Sequence, residues 1–171
     1  MRRIFGITGW KNSGKTTLTE KLVAELVARG WTVSTVKHAH HDFDIDKPGT
    51  DSFRHRQAGA TEVAIVSGRR WALMHELRGE DEPTLDNILA RLAPSDIVLV
   101  EGYKREAHKK IEARRLEAKD RTPLSANDPN IVAVAADFPV EGEGLPVFDL
   151  NDTKSIADFV ERSTGLVAET E

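Results

Sequence analysis

The chain has 171 residues, with 24 Lys and Arg against 28 Asp and Glu for a net charge of −4, 39% hydrophobic residues and no cysteine. Such a balance builds one ordinary globular domain, here read as a single domain over 1–171. It excludes collagen-like, low-complexity and disordered chains, and with them disulfides, zinc–thiolate sites, iron–sulfur clusters and thiol catalysis.

The longest apolar runs, 97–100 and 131–136, fall far short of the ~20 residues that span a bilayer. Arg2 and Arg3 lead only into residues 4–7 before polar residues resume, so no secretory segment follows them and a cytoplasmic location is expected. Residues 3–8 form a short apolar run with β-branched members and read as a buried strand. From Thr16 a helical period sets in, with Leu18, Leu22, Val23, Leu26 and Val27 on one face and Gly30 as its stop. Residues 32–37 read as a second strand, paired parallel with the first through a right-handed connection because the crossover runs through a helix. After a polar stretch, a short helix from about Asp51 ends at Gly59, and residues 61–67 and 71–77 form a hairpin. Thr84 caps a helix with Leu85, Ile88, Leu89 and Leu92 at i, i+3, i+4, i+7. The continuous run 97–100 marks a strand covered on both faces; 131–135 and 146–150 repeat it, and a last helix, about 152–164, buries Ile156, Phe159 and Val160. The expected class is α/β, a three-layer, P-loop NTPase-like domain with a mostly parallel sheet and a β-hairpin.

Between the first strand and the first helix, Gly9, Trp10, Lys11, Asn12, Ser13, Gly14, Lys15 and Thr16 satisfy G-x-x-x-x-G-K-[ST] at every specified position. The two glycines let the backbone bend so that successive amides face a β-phosphate, and the helix dipole adds positive potential. Lys15 then bridges β- and γ-phosphates, and the Thr16 hydroxyl ligates Mg²⁺. These residues, with Thr17, are the candidate nucleotide site; the Lys11 side chain is expected in solvent. Glu101, at the end of the strand 97–100 and followed by Gly102, is placed to hold the Mg²⁺ shell. Lys15 and Glu101 are the catalytic candidates.

Residues 37–52 leave the end of the second strand and so face the same phosphates. Asp42, Asp44 and Asp46 alternate as an EF-hand loop begins, but Lys47 and Pro48 stand where its glycine and next ligands belong, which rejects a calcium loop. Asp51 is either a third Mg²⁺ group beside Thr16 and Glu101 or an acid at a helix N-terminus. His38, His40 and His41 are open to transition-metal binding or to solvent. Residues 104–121 hold eight Lys and Arg against four Asp and Glu, a stripe suited to an anionic partner or simply to water. No nucleic-acid partner is expected, because the chain is acidic and the stripe carries no interleaved aromatics after Tyr103.

The glycine loop, the run 37–52 (Lys-His-Ala-His-His-Asp-Phe-Asp-Ile-Asp-Lys-Pro-Gly-Thr-Asp-Ser), Arg54 with 57–60, and Val98-Leu-Val-Glu-Gly-Tyr-Lys104 together resemble the MobB-type molybdopterin-guanine dinucleotide biosynthesis adaptor proteins. The resemblance implies a GTP-binding protein with weak hydrolysis. Such a protein forms homodimers, assists the molybdenum cofactor guanylyltransferase and has molybdopterin-bearing proteins as further partners. Fold relatives with a Glu-Gly strand end, such as dethiobiotin synthetase, imply that Thr16, Asp51 and Glu101 share the Mg²⁺. No [NT]-K-x-D run exists in the chain, so guanine preference is what the resemblance implies, with Asp137 as the base contact. An arginine finger is open among Arg54, Arg56 and a partner's arginine. Two other readings of the residues stand beside this one: a small-molecule kinase, and a metallochaperone-like GTPase using His38, His40 and His41.

Overall fold

The computed structural model describes residues 2–39, 43–142 and 144–166. The chain forms two compact units, residues 1–38 with 88–171, and residues 39–87.

The first unit is built on a six-stranded sheet in which every pairing is parallel. Its strands are β1 (Ile4–Thr8), β2 (Val33–Lys37), β5 (Ile97–Glu101), β6 (Lys110–Arg114), β7 (Ile131–Ala136) and β8 (Val147–Asp149), in the order β2-β5-β1-β6-β7-β8. The expectation that β1 and β2 pair with each other is corrected. They run parallel, but β5 is inserted between them, with Lys37 opposite Glu101 and Ile7 opposite Glu101 on the other side. Insertion of β5 brings a strand-end carboxylate next to the loop that follows β1. A side-chain clasp fixes the entry of β2, since Asp96 accepts from both the backbone and the hydroxyl of Thr32 at 2.7 and 2.6 Å.

Helix α1 (Lys15–Ala28) buries Leu18, Leu22 and Leu26, spaced four apart, against Phe5, Ile7, Ile97 and Leu99. Each such leucine contributes about 1.5–3 kcal/mol by leaving water. Val27, expected on the same face, is 53% exposed, because a residue one step from Leu26 is turned 100° away from the stripe. Gly30 ends the helix in the left-handed region, as its placement predicts. Helix α4 (Thr153–Thr164) lies beside α1 on the same face; its N-terminus is capped by Asp152, and Ile156, Ala157 and Val160 are fully buried.

The reading of 104–121 as a wet or ligand-holding stripe is corrected at β6 alone, since the charges on either side of it stay wholly or partly exposed. Its five residues, Lys110–Arg114, are all buried, with Ile111 and Ala113 in the helix-side core and Lys110, Glu112 and Arg114 on the opposite face. Each charge there is met. Lys110 Nζ donates to the carbonyls of Lys104 and Glu106 and to Asp128 at 2.7–3.0 Å. Glu112 accepts from the backbone of Leu124 and Ser125 and from Arg114. The segments 103–109 and 115–130 are thereby fastened over the sheet, which becomes the middle of three layers.

The second unit carries helix α2 (Asp51–Gln57) and the antiparallel hairpin of β3 (Glu62–Val66) and β4 (Trp71–His75), as the turn Ser67-Gly68-Arg69-Arg70 predicts. One hairpin face is buried through Val63 and Met74; the other leaves Val66, Trp71 and Leu73 at 75%, 69% and 45% exposure. Helix α3 (Leu85–Arg91) follows, capped by the Thr84 hydroxyl, with Leu85 and Leu89 buried. Among the described residues no helix is long and apolar enough to cross a membrane. The glycine loop joining the central strand β1 to α1, with β5 inserted beside β1, makes the architecture a P-loop NTPase-like α/β fold.

Candidate functional site

The loop between β1 and α1 takes its shape from its two glycines. Gly9 has φ 147°, and a Cβ there would stand 2.3 Å from Ser13 Oγ and 2.6 Å from the Ala113 carbonyl, so no other residue fits. Gly14, at φ 90°, is the N-cap of α1 and brings no side chain to the first amides; the first turn also holds no acid. Those amides are left for an anion. Ser13 is buried inside the loop, and its Oγ has no hydrogen-bond partner among the described residues.

The charged groups around the loop converge. Lys15 Nζ donates to the Trp10 carbonyl at 2.6 Å, and Thr16 Oγ1 donates to Glu101 Oε1 at 2.9 Å, so the strand-end acid and the loop hydroxyl expected to share a cation are in contact. Lys37 Nζ lies 3.5 Å from the same Glu101 oxygen, a register consequence of Lys37 standing opposite Glu101. Lys104 Nζ lies 3.9 Å above the Trp10 ring, and Trp10 Nε1 donates to the Thr122 carbonyl. Lys15 is half-buried, and burial lowers its pKa below the ordinary 10.5. The nearby Lys104 and Lys37 push the same way, against the pull of Glu101. Three ammonium groups and one carboxylate leave a local excess of positive charge that a polyphosphate satisfies.

Lys11, Asn12 and Thr17 are exposed on the loop and helix start, Lys11 in solvent as expected, and Asn12 takes up the left-handed region at φ 63°. Asp137, at the end of β7, accepts from Leu116 N at 2.7 Å and from Arg115 Nε at 3.3 Å. Asp51 belongs to the second unit, where it opens α2 and is exposed. In that unit Asp46 accepts from Thr50, Ser52 and Lys47 N, and Arg56 is gripped by Asp44, Asp46 and Glu76 at 2.8–3.3 Å. Asp44 and Asp46 thus hold a turn together, and Arg56 is withdrawn from the arginine-finger candidates because its guanidinium is spent on three carboxylates. Arg54 stays exposed. His38 packs its ring against Tyr103 at 4.9 Å between centroids, while His40, His41 and Asp42 lie outside the described residues.

Sequence reasoning missed Lys37 and Lys104 as members of the site, and the whole of β6. The period-two alternation Lys-Ile-Glu-Ala-Arg was the available signal for that strand. The run 37–52 was read as facing the phosphates without Lys37 being singled out, and nothing local announced Lys104; their roles come from register and from the fastening of 103–109 by Lys110. A concavity of about 470 Å³ lined by Arg29, Trp31 and Arg162 lies elsewhere on this unit, and Arg29 and Trp31 are already bonded to Glu161.

The model of the MobB family, described as molybdopterin guanine dinucleotide synthesis protein B, matches residues 4–137. The chain is 41% identical over 159 residues to the molybdopterin-guanine dinucleotide biosynthesis adapter protein of Escherichia coli strain K12, covering 92% of this chain and 90% of that protein. To the protein of the same description from Haemophilus influenzae it is 42% identical over 161 residues, covering 92% and 87%. Among solved structures, a MobB protein homolog from Bacillus stearothermophilus superposes with a TM-score of 0.73 at 34% identity, over 96% of this chain and 99% of that one.

Proposed function

This chain belongs to the MobB family and is an adapter protein of molybdopterin guanine dinucleotide biosynthesis; we propose that it does this work as a slow GTPase, binding Mg·GTP at the loop 9–16 and assisting the guanylyltransferase. The observation that carries the reading is the 2.9 Å contact of Thr16 Oγ1 with Glu101 beside Lys15, Lys37 and the free amides of α1. A hydroxyl and a carboxylate are the hard oxygen donors that Mg²⁺ takes; Thr16 and Glu101 would hold it. Bound there, the ion would neutralise charge on the β- and γ-oxygens.

The protein's own part is positioning and electrostatics. Loop amides and Lys15 hold the β-phosphate and meet negative charge growing on the transferred group. Lys37, 3.5 Å from Glu101, would add its positive charge on the γ-phosphate side. Among the described residues no arginine of the first unit bonds Lys15, Thr16 or Glu101, in keeping with slow turnover. Glu101→Gln is expected to remove the Mg²⁺ dependence of GTP binding and to lower hydrolysis by about 100-fold or more, measured by calorimetry and phosphate release with and without Mg²⁺. Unchanged Mg²⁺ dependence would overturn the assignment.

The same reading makes the protein a homodimer. A two-stranded hairpin is marginal alone, and the uncovered face of Val66, Trp71 and Leu73 is what a second copy would bury. Trp71→Glu is therefore expected to shift the protein from dimer to monomer in sedimentation at micromolar concentration. A dimer indifferent to the change would place the interface elsewhere.

A further inference from the structure

The nucleotide reading leaves open how a guanine base is told from adenine in a chain without an [NT]-K-x-D run, and the side of the loop away from the cation offers the means. Glu101 and Thr16, which would hold the cation, lie toward β5, so a γ-phosphate beside that cation would lie toward β5 as well. With the β-phosphate in the loop, the α-phosphate and nucleoside leave on the opposite side, over the ends of β6, β7 and β8. The groups flanking Gly14 there are Arg115 and Leu150: a Cβ on Gly14 would stand 3.1 Å from Arg115 Cδ and 3.1 Å from Leu150 Cδ2. Arg115 is thus a wall of the groove the nucleoside must take. Its guanidinium is aimed from behind, by Asp137 on Nε at 3.3 Å and Glu117 on Nη2 at 3.1 Å, and it stays 40% exposed.

We propose that Arg115 is the specificity-determining residue of the site, donating to O6 and N7 of guanine, and that Asp137 acts through Arg115 as a positioning residue. The chemistry favours guanine because its O6 and N7 are adjacent acceptors that match the planar fork of an arginine. Adenine turns an amino donor toward the same fork. Asp137 holds Leu116 N on one oxygen and Arg115 on the other, which fixes the fork instead of touching the base.

The inference rests on the nucleotide-site reading, so the test uses the whole protein with Mg²⁺ and four probes: GTP, ATP, ITP and 7-deaza-GTP. Wild type is expected to bind GTP and ITP alike, and to bind ATP and 7-deaza-GTP more weakly, by roughly 10- to 100-fold for ATP. Arg115→Ala should bring GTP and ATP within about threefold of each other, whereas Arg115→Lys, whose ammonium still donates to O6 and N7 and keeps its stem against Gly14, should retain part of the preference. Asp137→Asn, which keeps an acceptor, should lose part of the preference, and Asp137→Ala nearly all of it. If wild type binds no nucleotide, the site reading fails and this inference with it. If wild type binds GTP and ATP equally, or Arg115→Ala keeps the wild-type preference, the inference alone is overturned and the phosphate site stands.

Discussion

Lys15→Ala is expected to weaken Mg·GTP binding by about 100-fold or more, the loss of charge-assisted hydrogen bonds to two phosphates, without unfolding the protein. Lys15 Nζ is bonded only to the Trp10 carbonyl in the described structure, and burial and the charges of Lys104 and Lys37 hold its pKa below 10.5. A lysine whose folded pKa lies below its unfolded value costs stability wherever it is charged. That cost is present in full below the folded pKa and is relieved as pH rises toward 10.5. Removing the charge with Lys15→Met should therefore hold or raise the melting temperature of the nucleotide-free protein at pH 7 while abolishing the stabilisation that GTP gives. Calorimetric titration checks the first half, and thermal melts with and without Mg·GTP the second. A variant that binds as wild type would remove the loop from the mechanism, and one that melts well below it would make Lys15 a structural residue.

Glu112→Ala is the substitution with the largest expected effect on stability. Glu112 is 1% exposed and bonds Arg114, itself 6% exposed, while its two oxygens take the amides of Leu124 and Ser125. Truncation leaves one buried guanidinium short of its carboxylate and two amides without their acceptor, a loss of about 3–5 kcal/mol. For a chain of this size that lowers the melting temperature by on the order of 10 °C. It also frees the segment 115–130, whose Thr122 carbonyl holds the Trp10 indole, so nucleotide affinity should fall along with stability. Denaturant unfolding measures the first effect and titration the second. A melting temperature within a degree or two of wild type would show that the sheet face does not depend on this pair.

The phosphate loop was legible because its requirements are local. Gly9 and Gly14 are needed where the chain turns into the left-handed region, and Lys15 and Thr16 follow within one helical turn. The same holds for the cap at Thr84, the stop at Gly30 and the apolar run of β5, each decided by residues within a few positions of one another. Glu101 could be placed beside Thr16 because a strand end in an α/β sheet has one place to face. What could not be read was the company that sequence-distant residues keep. Lys110, Glu112 and Arg114 look like solvated charges until the segments 103–109 and 115–130 close over them. Arg56 looks available until Asp44, Asp46 and Glu76 surround it.

The sequence by itself determined the type of every element but β6, and the glycine turn with Lys15 and Thr16 behind it, since these follow from backbone conformation and spacing along one chain. Tertiary structure alone decided that β5 separates β1 from β2, that Lys37 and Lys104 join Lys15, and that a run of charges becomes a buried strand. The reason is electrostatic. Burying a charge is prohibitive alone and tolerable with its partner in place, and partners more than ten residues apart, such as Lys110 and Asp128, meet only once the fold has brought them together.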